Sequence, residues 1–192
     1  MATMFDNLEI CKILIANGMN VNAEDYLKFT PLHSAAQYGS NDMVEYLIAN
    51  GANVTAVDDL KLTPLHWAAM GDNLNACKSL IAHGADALAK GKWNFTSLHF
   101  AAILGTKELA EYLIAQRVDV NAIGRDMITP LHLAYFADNK EVQEVLIGKG
   151  ADENAKEKHN KTPREMVTEN RKEAKTEFIA LINGRKRMFE NL

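Results

Sequence analysis

Thr30-Pro31-Leu32-His33 recurs as Thr63-Pro64-Leu65-His66, then with one change as Thr96-Ser97-Leu98-His99, then intact as Thr129-Pro130-Leu131-His132. Each threonine follows the last by 33 residues, and Thr162-Pro163 falls on the next beat. A fixed period of this length marks supersecondary units stacked along one axis, each burying its apolar face only against its neighbours. The period divides the chain into a half repeat at 1–24, full repeats at 25–56, 57–89, 90–122 and 123–155, and a capping repeat with a basic tail at 156–192. All of it reads as one domain, because the core of such an array grows repeat by repeat.

The unit from Asp25 to Ala56 shows what one repeat is. Thr30 is a good helix N-cap, and Pro31 fits the first helical position, where a missing N–H costs nothing. Leu32, Ala35 and Ala36 follow at helical spacing, with alanines small enough for a second helix to approach closely. Gly39 is expected to end this helix in a left-handed conformation. Ser40-Asn41-Asp42 offers a new start, Met43, Val44, Leu47 and Ile48 supply an apolar face, and Gly51 closes the second helix. Neither helix is long enough to persist alone in water, so stacking must stabilise them. The fold class is all-α, a solenoid of helix-turn-helix units with projecting β-turns.

The period and the Thr-Pro-Leu-His tetrapeptides resemble the ankyrin repeat. The resemblance covers nearly the whole chain. The polar run Glu169-Asn170-Arg171-Lys172-Glu173 suits a terminal cap. Ile10, Cys11, Leu14 and Ile15 match a second helix, with too few residues before them for a complete first helix. The turn glycine of the family is replaced by Lys28, Lys61, Asn94, Met127 and Asn160. Arg117 stands where Gly51, Gly84 and Gly150 close other second helices, and Asp72 and Asp138 stand where Gly39 does. These positions bear on turn geometry rather than on the fold.

Composition narrows the function classes. The apolar fraction of 47% is ordinary for a globular chain. No apolar run approaches the roughly 18 residues of a membrane span, and the N-terminus lacks the pattern of a signal peptide. Cys11 and Cys77, two repeats apart at apolar helical positions, read as small buried hydrophobes in a reducing compartment. A cytoplasmic monomer is expected. The cluster Gly184-Arg185-Lys186-Arg187 leaves a nuclear address open, although a solvated helix end explains it as well. The net charge of −4 divides unevenly, residues 1–155 carrying 19 acids against 11 bases. Such an acidic body argues against a nucleic-acid-binding face.

The sequence contains no phosphate-cradling loop, nucleophile elbow or His-Glu-x-x-His motif, so no enzyme and no cofactor are expected. The row His33, His66, His99 and His132 invites a metal reading, but repeats stack about 10 Å apart, and shared ligands need metal–nitrogen bonds of about 2 Å. Each imidazole is expected instead to bond backbone groups of the adjoining turns. His83 and His159 read as surface residues without evident partners, and Asp58-Asp59 as a solvated turn. Trp67 and Phe100 are expected in the inter-repeat core, with Tyr46 and Tyr112 packed along second helices.

What remains is binding. The resemblance implies a cupped solenoid whose partners meet the turn tips and the concave side of the first helices. Mapped onto this chain, those positions are Tyr26, Phe29 and Tyr38, then Leu62 and Met70, then Trp93, Phe95, Ile103 and Leu104, then Ile128 and Phe136. Exposed apolar and aromatic residues at such positions mark an interaction surface. The function implied is a non-catalytic module that binds a partner protein. The alternative is an architectural segment of a larger channel, toxin, enzyme or host-directed effector.

Overall fold

The computed structural model describes residues 7–166. Its helices are α1 (Leu8–Ala16), α2 (Pro31–Tyr38), α3 (Asn41–Ala49), α4 (Pro64–Met70), α5 (Leu74–Ala82), α6 (Ser97–Leu104), α7 (Lys107–Ala115), α8 (Pro130–Phe136) and α9 (Lys140–Gly148). Short 3-10 segments occupy Lys92–Asn94, Arg125–Met127 and Pro163–Met166. No strand occurs among the described residues. The first helices α2, α4, α6 and α8 pack side by side in one row, and the second helices α3, α5, α7 and α9 pack in another. This is the all-α solenoid that the 33-residue period implies.

The motif builds each first helix in the same way. Thr30, Thr63, Thr96 and Thr129 are N-caps in extended backbone, and in each the histidine three residues on reaches back to the cap's own N–H. This is a capping box in which imidazole replaces the usual Glu or Gln. Leu32, Leu65, Leu98 and Leu131 are buried, as are the alanine pairs Ala35-Ala36, Ala68-Ala69 and Ala101-Ala102. Those alanines let the rows close tightly, because a larger side chain would hold the helices apart.

The helix ends differ in part from expectation. Gly51, Gly84 and Gly150 are left-handed, with φ of 87°, 93° and 89°, and Arg117 takes the same conformation at 68°. Gly39, however, is extended (φ −88°, ψ 164°) rather than left-handed. At the equivalent positions Asp72 and Asp138 carry the positive φ, 53° and 55°. Asp72 uses its place to accept from the N–H of Thr106 at 2.8 Å, tying the second repeat to the third. Asn73 and Asn139 donate to the carbonyls of Gly39 and Gly105 in the same sense.

In the last repeat, Thr162 and Glu165 form the equivalent cap, with the carboxylate accepting from both Thr162 N and Oγ1. The polar run 169–173 and the cluster Gly184–Arg187 lie outside the described residues.

Candidate functional site

Five fingers project between the helix pairs, around residues 25–29, 58–62, 91–95, 124–128 and 157–161, each closed by a bond from its first N–H to its fifth carbonyl. The residues standing in for turn glycines are all left-handed: Lys28, Lys61, Asn94, Met127 and Asn160 have φ between 54° and 62°. In three fingers the first residue is acidic and organises the turn. Asp25 accepts from Leu27 N and Phe29 N, Asp58 from Leu60 N and Leu62 N, and Glu157 from His159 N and Lys161 N. The third and fourth fingers begin instead with Gly91 and Gly124. There the preceding residue is left-handed as well, Trp93 at φ 66° and Asp126 at φ 56°. A carboxylate at the first position therefore goes with one left-handed residue, and a glycine with two.

The glycines have a packing reason. A Cβ on Gly91 would overlap Leu62 Cδ2, and one on Gly124 would overlap the ring of Phe95. Leu62 and Phe95 are accordingly buried beneath the next finger. Phe29 and Ile128, followed by fingers that begin with Asp58 and Glu157, remain only half-buried. The neighbouring repeat thus decides which of these apolar residues stays open.

Of the eleven positions expected on the surface, four are buried and are corrected here. Leu62 and Phe95 lie beneath glycine-led fingers, and Phe95 also stacks on His99 with centroids 4.7 Å apart. Met70 and Ile103 are buried at the ends of α4 and α6, each flanked by first helices on both sides. Tyr26 and Tyr38 are open, 62% and 43% exposed. Phe29, Trp93, Leu104, Ile128 and Phe136 are intermediate. Phe29 stacks on His33 and meets Trp67 edge-on at 5.0 Å, so it serves the stack as well as the surface. Sequence reasoning missed Met127, Ile123 and Val57, which are exposed on the fingers. Val57 and Ile123 share one phase two repeats apart, a signal the 33-residue register carried.

The histidine row is structural. Nε2 of His33 faces the Leu62 carbonyl at 3.1 Å, that of His66 faces Ala89 and Phe95 at 3.1 and 3.2 Å, that of His99 faces Ile128 at 3.3 Å, and that of His132 faces Lys161 at 3.2 Å. In each, Nδ1 accepts the N–H of the threonine cap. A backbone N–H can only donate and a carbonyl can only accept, so the tautomer is fixed with the proton on Nε2. Burial holds His66 and His99 down to about 4, and lowers His132 as well. Among the described residues no cluster of His, Cys, Asp and Glu is placed to hold a metal ion.

Other expectations need amendment. Asp58 is buried rather than solvated, and its Oδ2 accepts from Trp67 Nε1 at 2.9 Å. Asp59 is the exposed member of the pair. His83 has partners: Nδ1 meets the Ser79 carbonyl at 2.8 Å, and Nε2 lies 3.7 Å from Glu45. Cys11 and Cys77 are free, buried thiols, and burial pushes Cys77 up to about 12, leaving it unreactive. Trp67 and Phe100 fill the core as expected. Among the described residues no helix is long and apolar enough to cross a membrane.

Stacked helix pairs, fingers aligned on one edge and histidines bonded from each repeat to the next define a helical-repeat solenoid. Family models described as ankyrin repeats match it over residues 14–68 (many copies) and 65–157 (3 copies). The chain belongs to the ankyrin-repeat family. No individual curated protein matches it. Ankyrin repeats are in general protein-interaction modules.

Proposed function

We propose that this protein is a non-catalytic interaction module that binds a partner protein through its finger tips and the concave side of its first helices. It acts as a monomer, without a cofactor, in a reducing intracellular compartment where Cys11 and Cys77 remain thiols. The observation that carries the reading is Trp93. Its left-handed backbone, φ 66°, is the turn that glycine-led fingers share, and it carries a large aromatic side chain on a projecting tip. Its indole sits on the central finger, partly open, with the Lys92 ammonium 5.4 Å from the ring centroid. Tyr26 and Tyr38 supply open aromatic surface at one end of the row, and Leu104, Ile128 and Phe136 continue it past Trp93.

A rigid solenoid suits this role, since little ordering entropy is lost when a partner docks. The test is capture of a partner by the full chain, followed by its affinity for Trp93→Ala. Selective loss of binding by a folded variant supports the module. A partner held equally well by both would favour an architectural role instead.

A further inference from the structure

The fingers differ in charge along the array. The first two balance an exposed acid against an exposed base, Glu24 against Lys28 and Asp59 against Lys61, whereas the last three carry Lys90, Lys92, Arg125, Lys156, Lys158 and Lys161, all exposed. The acids among these last three are already engaged. Glu157 is buried and accepts backbone N–H groups, and Asp126 lies 3.4 Å from both Arg125 and Lys158. Among the described residues, Lys90, Lys92, Lys156 and Lys161 make no ion pair. A basic ridge on an otherwise acidic chain is thus confined to one edge, with Trp93 on its first finger.

We infer that the fingers of residues 90–95, 123–128 and 156–161 form a docking ridge for an acidic, extended segment of a partner protein, with an apolar side chain of that segment seated against Trp93. The inference rests on the proposed function and names the chemistry of its partner. Three tips one repeat apart span about 20 Å at helix-packing distance, the reach of about six extended residues. Carboxylates on alternate residues of such a segment would meet Lys90 and Lys92 first and Lys156, Lys158 and Lys161 last. The first two fingers, where Lys28 offsets Glu24 and Lys61 offsets Asp59, give such a segment no net attraction, which favours its register on the last three.

Selection from a random peptide display library on the immobilised full chain tests this, with peptides of about twelve residues, roughly twice the span of the ridge. Selected peptides should be rich in Asp and Glu around an apolar residue. Their affinity should fall at least about tenfold for Lys90→Glu, Lys92→Glu, Lys156→Glu and weaken with added salt. The second-helix control Lys107→Glu, Lys140→Glu, Lys149→Glu should change it less than about twofold, surface charges this far away being largely screened. Melting curves check that both triple variants fold, and glutamine replacements at the same lysines give a milder pair. Peptides without acidic bias that still lose affinity for Trp93→Ala would overturn the charge inference and leave the interaction module standing. Equal loss in the control would also overturn the charge inference. Tighter binding of a mixed-sequence single-stranded DNA than of any peptide would replace the partner class with nucleic acid. No enriched peptide, or none sensitive to Trp93→Ala, would sink both readings.

Discussion

Trp67 Nε1 donates to Asp58 Oδ2 at 2.9 Å, with both side chains buried, so one carboxylate joins the second finger to the first helix of its own repeat. The same carboxylate organises the finger through Leu60 N and Leu62 N. Asp58→Ala should therefore leave several donors short of a partner and cost about 2–3 kcal/mol. Asp59→Ala, on the exposed neighbour, should stay within about 0.5 kcal/mol of the parent. Urea unfolding of the two variants makes the comparison. Equal, small effects would mean that Asp58 is not the hub the hydrogen bonds describe.

The histidine row gives the array a pH dependence with a definite sign. His66 and His99 titrate at about 4 when folded and near the ordinary 6.5 when unfolded. Between those values the unfolded chain binds protons that the folded chain refuses. Their contribution is complete above about pH 6.5 and declines as the pH falls towards 4, by up to about 1.4 kcal/mol per pH unit for each histidine. Urea midpoints from pH 7 to pH 5, a range above the titration of ordinary carboxylates, should fall steadily. A flat profile there would contradict the buried neutral tautomer. His66→Ala or His99→Ala should lower stability by about 1–3 kcal/mol by unpairing buried groups, and chelators should leave the melting temperature unchanged.

Ser97 stands where the other motifs have proline, and its Oγ is buried with no hydrogen-bond partner among the described residues. Its cap, Thr96, has φ −96° and ψ 168°, an extended conformation that tolerates a following proline. Ser97→Pro should raise stability by about 0.4–1 kcal/mol, through a less variable unfolded chain and the removal of an unpaired hydroxyl. A loss of stability on thermal unfolding would show that the cap geometry at Thr96 is not equivalent to that at Thr63.

Met127 is half exposed and left-handed, at φ 61°. A non-glycine residue there carries about 1 kcal/mol of backbone strain, and little packing offsets it. Met127→Gly should therefore stabilise the array by about that amount in urea unfolding. Destabilisation would mean that the methionine packs more than its exposure indicates.

The residues that were legible from sequence and those that were not differ in kind. The motif histidines act on backbone carbonyls 29 residues on, which exist whatever the side chains are, so the period alone located their bonds. Register marked Lys28, Lys61, Asn94, Met127 and Asn160 as turn positions, but lysine and methionine adopt the left-handed conformation less readily than glycine, so it took the structure to show that all five do. The burial of Leu62 and Phe95 depended instead on the neighbouring finger, on the missing Cβ of Gly91 and Gly124. That signal was present as glycine in place of an acid, but it takes the stacked structure to show which side chain fills the gap. Asp58 escaped notice because its partner Trp67 lies on a different element. A double replacement of Trp93 and Phe95 would confound binding with folding, since Phe95 is buried in the core whereas Trp93 is only partly buried.

Trp93→Ala, made alone, therefore bears most directly on the interaction-module account. A partner isolated with the parent chain should bind this variant at least about thirtyfold more weakly, the loss of about 2 kcal/mol expected at a central aromatic anchor. The variant should remain folded with a melting temperature at most a few degrees below the parent's, because alanine gives up the edge-on contact of the partly open indole with Phe95 but leaves the buried residues in place. Unchanged affinity of that partner for a folded Trp93→Ala protein would contradict the account.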